Sequence, residues 1–304
     1  MKFWSNKWAI LAILSLTWGS SFILIKQGIQ AFTPMQVGAL RLSIAGLVLA
    51  FFGIRNFKYI PKKLMKWVVI GGCLGNFVPM FLFPLAQQKV SSSMAGILDS
   101  LVPIFILIFG FLFFGIKSKW SQALGALIGF IGAAILVSDD ANGEKNDIFH
   151  SLLIVLATLC YALNGLILGK YLSGIQSFKL SSVVFTIWLA PALIILGTTG
   201  FYQDFSGTPE QWKGLGFVSI LAIFGTAIAM ILFYKLIQMT SAIFASVVTY
   251  LMPVIAVLWG ILDGEKLTWI HAVGGILILL GVYLIQMKSP RVRKEFEELL
   301  PEKD

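Results

Sequence analysis

A chain of 304 residues that is 58% hydrophobic and only 12% charged, with a mean hydropathy of +0.89, cannot cover its own surface with polar groups, which excludes an ordinary soluble domain. The formal charge of +9 does not indicate a nucleic-acid partner, because the basic residues sit in short loops between apolar runs and not on an element interleaved with aromatics. Two cysteines, Cys73 and Cys160, both within apolar runs, give neither a disulfide framework nor a metal-type spacing, and no cofactor is expected.

Ten apolar runs follow in chain order: Trp8 to Ile29, Met35 to Ile54, Leu64 to Ala86, Ser91 to Gly115, Ser121 to Ser138, Ile148 to Lys170, Leu180 to Gly200, Trp212 to Ile237, Ser241 to Leu262 and Trp269 to Met287. Each is close to the ~20 residues that cross a bilayer as a helix and is apolar on all faces, whereas barrel strands alternate over ~10 residues. The expected fold class is an all-α membrane protein of ten transmembrane helices. Lys2 and Lys7 precede the first run as they would in a secretory signal, but the run lacks a small-residue cleavage site and is read as a retained helix.

With both termini cytoplasmic, seventeen basic residues fall in inside segments and five (Lys26, Lys89, Lys145, Lys213 and Lys266) outside, the asymmetry of the positive-inside rule. A multi-pass protein of a bacterial inner membrane is the expectation. Asp139, Asp140, Glu144 and Asp147 share one outside loop, a solvated connector or a cation trap, whose spacing lacks the Gly and terminal Glu of an EF-hand. The tail from Lys288 to Asp304 passes from basic to acidic and reads as a short polar helix after Pro290, against anionic lipid.

Sliding the sequence against itself by 150 residues, without gaps, superimposes Ile70 to Ile135 on Ile220 to Ile285 with roughly sixteen identities. They include Gly75 with Gly225, Met80 with Met230, Gln88 with Gln238, Pro103 with Pro253 and Gly110 with Gly260. The domains expected are a first five-helix repeat over 1–140, a second over 141–288 and a tail over 289–304. Five spans is an odd number, so the second repeat enters the membrane inverted with respect to the first. Two such halves have two nearly equivalent packings, one open to each side, which is what alternating access around a midplane site requires.

Two charges lie inside the apolar runs. At 1.5 Å per residue, Arg41 is about 9 Å and Asp99 about 12 Å from the outer ends of their helices. Each should face the bundle interior, either as a solute-binding or gating pair or as a structural ion pair. Asp99 and its repeat equivalent Thr249 each precede a proline by four residues, and a proline cannot donate to the carbonyl one turn back, so both carbonyls are expected to be freed towards a cavity. Trp18 and Ser21 in the first helix are loosely matched by Tyr161 and Asn164 in the sixth, aromatic and polar groups at mid-membrane depth. Asn76, Tyr250, Thr226 and Met230 are further candidates, with helix-to-helix hydrogen bonding as their alternative role. His150 and His271 stand near span ends without evident ligand partners. Nucleophile, phosphate-loop and metal motifs are absent, so no catalytic residue is assigned and an enzyme is not expected.

Trp18-Gly19-Ser20-Ser21-Phe22, Leu40-Arg41-Leu42, the stretch from Gly225-Thr226 through Pro253 to Gly264-Glu265-Lys266-Leu267-Thr268, and the glycines of the last helix resemble the EamA-type branch of the drug/metabolite transporter superfamily along nearly the whole chain. The resemblance implies ten helices in two inverted repeats, a central cavity, and movement of metabolites such as amino acids driven by protons or exchange, by a monomer or homodimer. The first repeat departs from it, with Phe114-Gly115-Ile116-Lys117 where the second has Gly264-Glu265-Lys266. The solute-binding residues expected are Trp18, Ser21, Arg41, Asn76, Asp99, Tyr161, Asn164 and Tyr250. A membrane-embedded enzyme or a non-transporting assembly component is the alternative.

Overall fold

The computed structural model describes residues 6–115, 120–137, 147–240 and 242–286. Asp139, Asp140 and Glu144 of the acidic loop, and the tail from Lys288 to Asp304, lie outside the described residues. Among those described there is no strand. The chain forms α1 (Lys7–Ile29), α2 (Pro34–Tyr59), α3 (Lys62–Ala86), α4 (Ser92–Phe114), α5 (Trp120–Leu136), α6 (Ile148–Leu172), α7 (Ser177–Thr198), α8 (Pro209–Met239), α9 (Val248–Leu262) and α10 (Trp269–Leu284). Among the described residues seven of these are long and apolar enough to cross a membrane; α9 is apolar but shorter, and α5 and α10 are apolar helices that adjoin residues outside the description. For α9 the reason is local: a turn at Ser246–Val247 separates it from the short helix Ala242–Ala245.

Helix ends follow from side chains that satisfy the first free N–H groups. Thr33 and Thr208 each form a capping box with the glutamine three residues on, Gln36 and Gln211, with proline in the first helical position. Both histidines belong to such ends. His150 Nδ1 lies 2.7 Å from Oδ2 of Asp147, the residue that caps α6, and His271 Nδ1 lies 2.8 Å from the Thr268 hydroxyl at the start of α10. His150 and His271 are thus partnered locally, which corrects their reading as isolated groups.

Large apolar side chains such as Leu47, Phe51, Leu112, Ile194 and Leu262 are exposed on the outside of the bundle, as expected where hydrocarbon replaces water as solvent. Prominent pairings include α2 with α7, α4 with α9, α5 with α10, α3 with α6, α8 with α1, α1 with α9, α6 with α4, α2 with α3, α7 with α8, α2 with α8, and α3 with α7. Exchanging every helix for the one five places along leaves this set unchanged. The backbone shows the same relation: α3 widens into a π turn at Cys73–Phe77, and α8 does so at Ile223–Ile228, 150 residues further on. The glycines of α5 and α10 pack inside the chain. A Cβ on Gly132 would stand 2.7 Å from the Gly274 carbonyl oxygen, and one on Gly281 2.7 Å from the Gly129 nitrogen, so the two backbones touch directly.

Candidate functional site

A cavity of about 80 Å³ lies between the two halves, lined from α1, α2, α3, α4, α6, α8 and α9. On this measure a single water needs only ~10–15 Å³, so the space suits a small solute or several waters. The lining repeats itself. Gly75 and Gly225, Met80 and Met230, Phe83 and Phe233, Asp99 and Thr249, and Val102 and Met252 all border it, and the members of each pair are 150 residues apart. In α1 and α6 the offset is 143, and it pairs Trp18 with Tyr161, Ser21 with Asn164 and Phe22 with Gly165, again all at the cavity.

The π turns explain how polar side chains reach this point. Each turn contains one of the paired glycines; a Cβ on Gly225 would lie 2.9 Å from Ser21 Oγ, and one on Gly75 would collide with the Asn164 side chain, 2.9 Å from Oδ1 and closer still to Nδ2. The bare backbone lets α1 and α6 close in. Trp18 Nε1 donates to the Gly225 carbonyl at 3.0 Å, and its ring packs edge-on against Phe233 at 4.9 Å between centroids.

Arg41 is buried, and its Nε donates to Thr226 Oγ1 at 2.7 Å. The Thr226 hydroxyl in turn donates to the Leu221 carbonyl, five residues back, at 3.1 Å, an oxygen that the π turn makes reachable. Arg41 is therefore fixed at one nitrogen by α8 while it borders the cavity. Asp99 is buried too, and its Oδ1 has no hydrogen-bond partner among the described residues. Among the described residues the two charges do not form an ion pair. Similar depth brought them to one cavity, but a structural pair pinning α2 to α4 is not what the side chains make.

Trp18, Ser21, Arg41, Asp99, Tyr161 and Asn164 all border the cavity; Asn76 and Tyr250 are not part of its lining. Asn76 Nδ2 donates to the Tyr234 hydroxyl at 3.2 Å, an α3-to-α8 contact, and the Tyr250 hydroxyl is buried without a partner among the described residues. The expectation of two freed carbonyls needs correction. The Thr249 carbonyl accepts a hydrogen bond from Ser100 Oγ at 2.9 Å, so it is satisfied by α4 and does not offer itself to solute. The interruptions are also unequal: α4 breaks at Ser100–Leu101, next to Asp99, whereas the ninth helix breaks at Ser246–Val247 and runs on through Pro253. Phe83, Phe233, Val102, Met252 and Ser246 were not anticipated. The ungapped register carried a signal for the first four, since each falls at a duplicated position.

Fold and site together define a multi-pass helical membrane protein with an aromatic and polar cavity between two similar halves. The EamA-like transporter family matches residues 6–138 and again residues 148–287, and the chain belongs to that family. It is 27% identical over 288 residues to an uncharacterized transporter of Archaeoglobus fulgidus, covering 93% of this chain and 99% of the relative. It is 30% identical over 292 residues to the uncharacterized inner membrane transporter YedA of Escherichia coli K12, covering 91% and 92%. The uncharacterized transporter YdfC of Bacillus subtilis is 26% identical, covering 92% of this chain and 90% of its own. A solved crystal structure superposes with a TM-score of 0.61 at 19% identity, over 95% of this chain and 97% of that one, a likeness of fold. The protein is a membrane transporter.

Proposed function

We propose that this chain exports small organic metabolites such as amino acids across a bacterial inner membrane, by alternating access of the cavity between two inverted five-helix repeats (1–140 and 141–288), with both termini cytoplasmic. The observation that carries the proposal is the placement of Arg41 and Asp99 on one cavity without pairing to each other. Burying two opposite charges costs several kcal/mol each unless a partner compensates. A solute with a carboxylate for Arg41 and an ammonium for Asp99 supplies both partners at once, and protonation of Asp99 supplies one when the site is empty. This second route is how a proton gradient would couple to the cycle. Support for the inverted repeats comes from the helix pairings that survive exchange of the halves and from the paired cavity lining. The aromatic rings of Trp18, Tyr161, Phe83 and Phe233 supply the apolar part of the site.

The test is a panel of labelled zwitterionic, anionic, cationic and neutral metabolites, scored for counterflow in proteoliposomes with and without an imposed proton gradient. Zwitterions are expected to exchange fastest. Transport confined to cations or to large apolar compounds, insensitive to Arg41→Gln, would refute the assignment.

A further inference from the structure

At one end of the bundle, the outer one in the orientation proposed above, a cluster that the cavity does not include ties the two halves together. Gly264, at φ +81, turns the chain at the end of α9, and the Glu265 N–H returns to the Gly260 carbonyl at 2.8 Å. This aims the Glu265 side chain across to the first half. Its carboxylate accepts from the Ser92 N–H at 2.9 Å, the Ser93 N–H at 3.1 Å and the Ser93 hydroxyl at 2.6 Å, and so satisfies the free N–H groups at the start of α4. Lys26, at the end of α1, lies 2.9 Å from the same carboxylate and 2.7 Å from Asp263. The Glu265 side chain is only 7% exposed, and Gly260 is what leaves room for it, since a Cβ there would collide with Ser93 Oγ and the carboxylate.

The equivalent place in the first repeat closes with the same hydrogen bond but not the same chemistry, and its left-handed residue is Gly115 itself (φ +72), one register position later than Gly264. Gly115 occupies the place of Glu265 and makes the equivalent bond to the Gly110 carbonyl, yet it carries no side chain. Ala242 and Ile243 stand where the first half has Ser92 and Ser93, and Gly169 stands where it has Lys26 by the register that pairs Trp18 with Tyr161. At these register positions the sequence offers no counterpart to the Glu265 carboxylate, the Ser92 and Ser93 hydroxyls or the Lys26 ammonium, although Lys170 stands nearby over the Phe114 ring. Two halves with matched packing but one-sided polar ties do not have equal energies in their two arrangements.

We infer that Glu265, Lys26, Ser92 and Ser93 form a latch on the outer face which biases the transporter towards the state closed to the outside and which must break each time the cavity opens there. The inference rests on the alternating-access reading above. The carboxylate contributes more than the ion pair, because Lys26 is 30% exposed and its pairing is weakened by water, whereas the bonds from Ser92 and Ser93 end on a buried oxygen pair.

The test uses full-length protein in membranes, with Cys73 and Cys160 replaced by serine and a single reporter cysteine at Val102 in the cavity, labelled by an impermeant thiol reagent applied from either side. The latch predicts slow labelling from outside in the parent, roughly tenfold or more faster labelling in Glu265→Gln, and smaller increases in Lys26→Gln and Ser93→Ala. Because Glu265→Gln perturbs the start of α4, each variant is first shown to elute as the parent does, and Ser93→Ala, which removes one hydroxyl, tests the idea if the first misfolds. Outside labelling unchanged in all three, with inside labelling retained, would overturn the latch while leaving alternating access standing. Labelling from neither side in any variant would overturn the cavity reading and the latch with it.

Discussion

Replacing Thr226 with valine removes one oxygen atom while keeping the side chain's shape, and that oxygen is the only hydrogen-bonding atom of α8 that holds Arg41. The bond is charge-assisted, 2.7 Å long and buried, a class worth about 1.5–3 kcal/mol net. Two consequences follow in Thr226→Val. The guanidinium keeps its charge but loses the contact that fixes its plane, and the Leu221 carbonyl loses its hydroxyl donor. If the whole of the first loss is expressed in binding, affinity for a carboxylate-bearing solute falls by about 10- to 100-fold at 1.4 kcal/mol per tenfold. Reorientation of the freed side chain towards solute recovers part of this, so the lower end is expected. Counterflow titrations in proteoliposomes measure the half-saturating concentration directly, with Thr226→Ser, which retains the hydroxyl, as the control. The amide analogue of the same solute should lose little, because it presents no full charge to Arg41. An unchanged half-saturating concentration in the valine variant, or an equal loss for acid and amide, would refute the role assigned to this contact.

Asp99→Asn is expected to leave a folded protein whose transport no longer depends on an imposed proton gradient; unchanged pH dependence in proteoliposomes removes Asp99 from the coupling step. Gly75→Ala should lower thermal stability more than Gly165→Ala, since the three nearest atoms to a Cβ on Gly75 all belong to Asn164, whereas Gly165 has only Ile106 at 3.9 Å. The double variant Gly75→Ala with Asn164→Ala should recover much of that loss, and a melting series that shows no recovery contradicts the steric account. The latch should also resist mild acid. Burial pushes the Glu265 carboxyl up, but hydrogen bonds from Ser93, Lys26 and the Ser92 and Ser93 N–H groups outweigh it and hold it below the usual carboxylate range. A carboxylate with a depressed value stabilises the closed arrangement above its ordinary pKa and loses that contribution only as pH falls through the lowered one. The ratio of outside to inside labelling at equal pH, which cancels the thiolate dependence of the reagent, should therefore stay flat from about pH 8 to about pH 5 and rise only below; a rise centred near neutrality would contradict it.

The helices were legible in the sequence because they depend on short-range quantities. Apolar runs of near-constant length, capping residues such as Thr33 and Thr208, and a register that repeats after 150 residues can all be read without knowing what packs on what. The same register already contained part of the cavity, since Phe83 with Phe233 and Val102 with Met252 border it at duplicated positions. Depth along a helix was also readable, and Arg41 and Asp99, similar in depth by that count, border one cavity. Depth does not give azimuth or distance across the bundle. Whether Arg41 meets Asp99 or Thr226 depends on how α2 turns towards α8, and only the packed structure decides for Thr226, 185 residues away in sequence. Proline chemistry predicted a free carbonyl at Thr249; the tertiary structure delivers Ser100 to it, which lets the ninth helix continue through Pro253 and moves the break to Ser246–Val247. Glu265 reads as a loop residue until the fold lays it against the start of α4, because a helix terminus and the carboxylate that satisfies it need share no stretch of sequence, only a place in space.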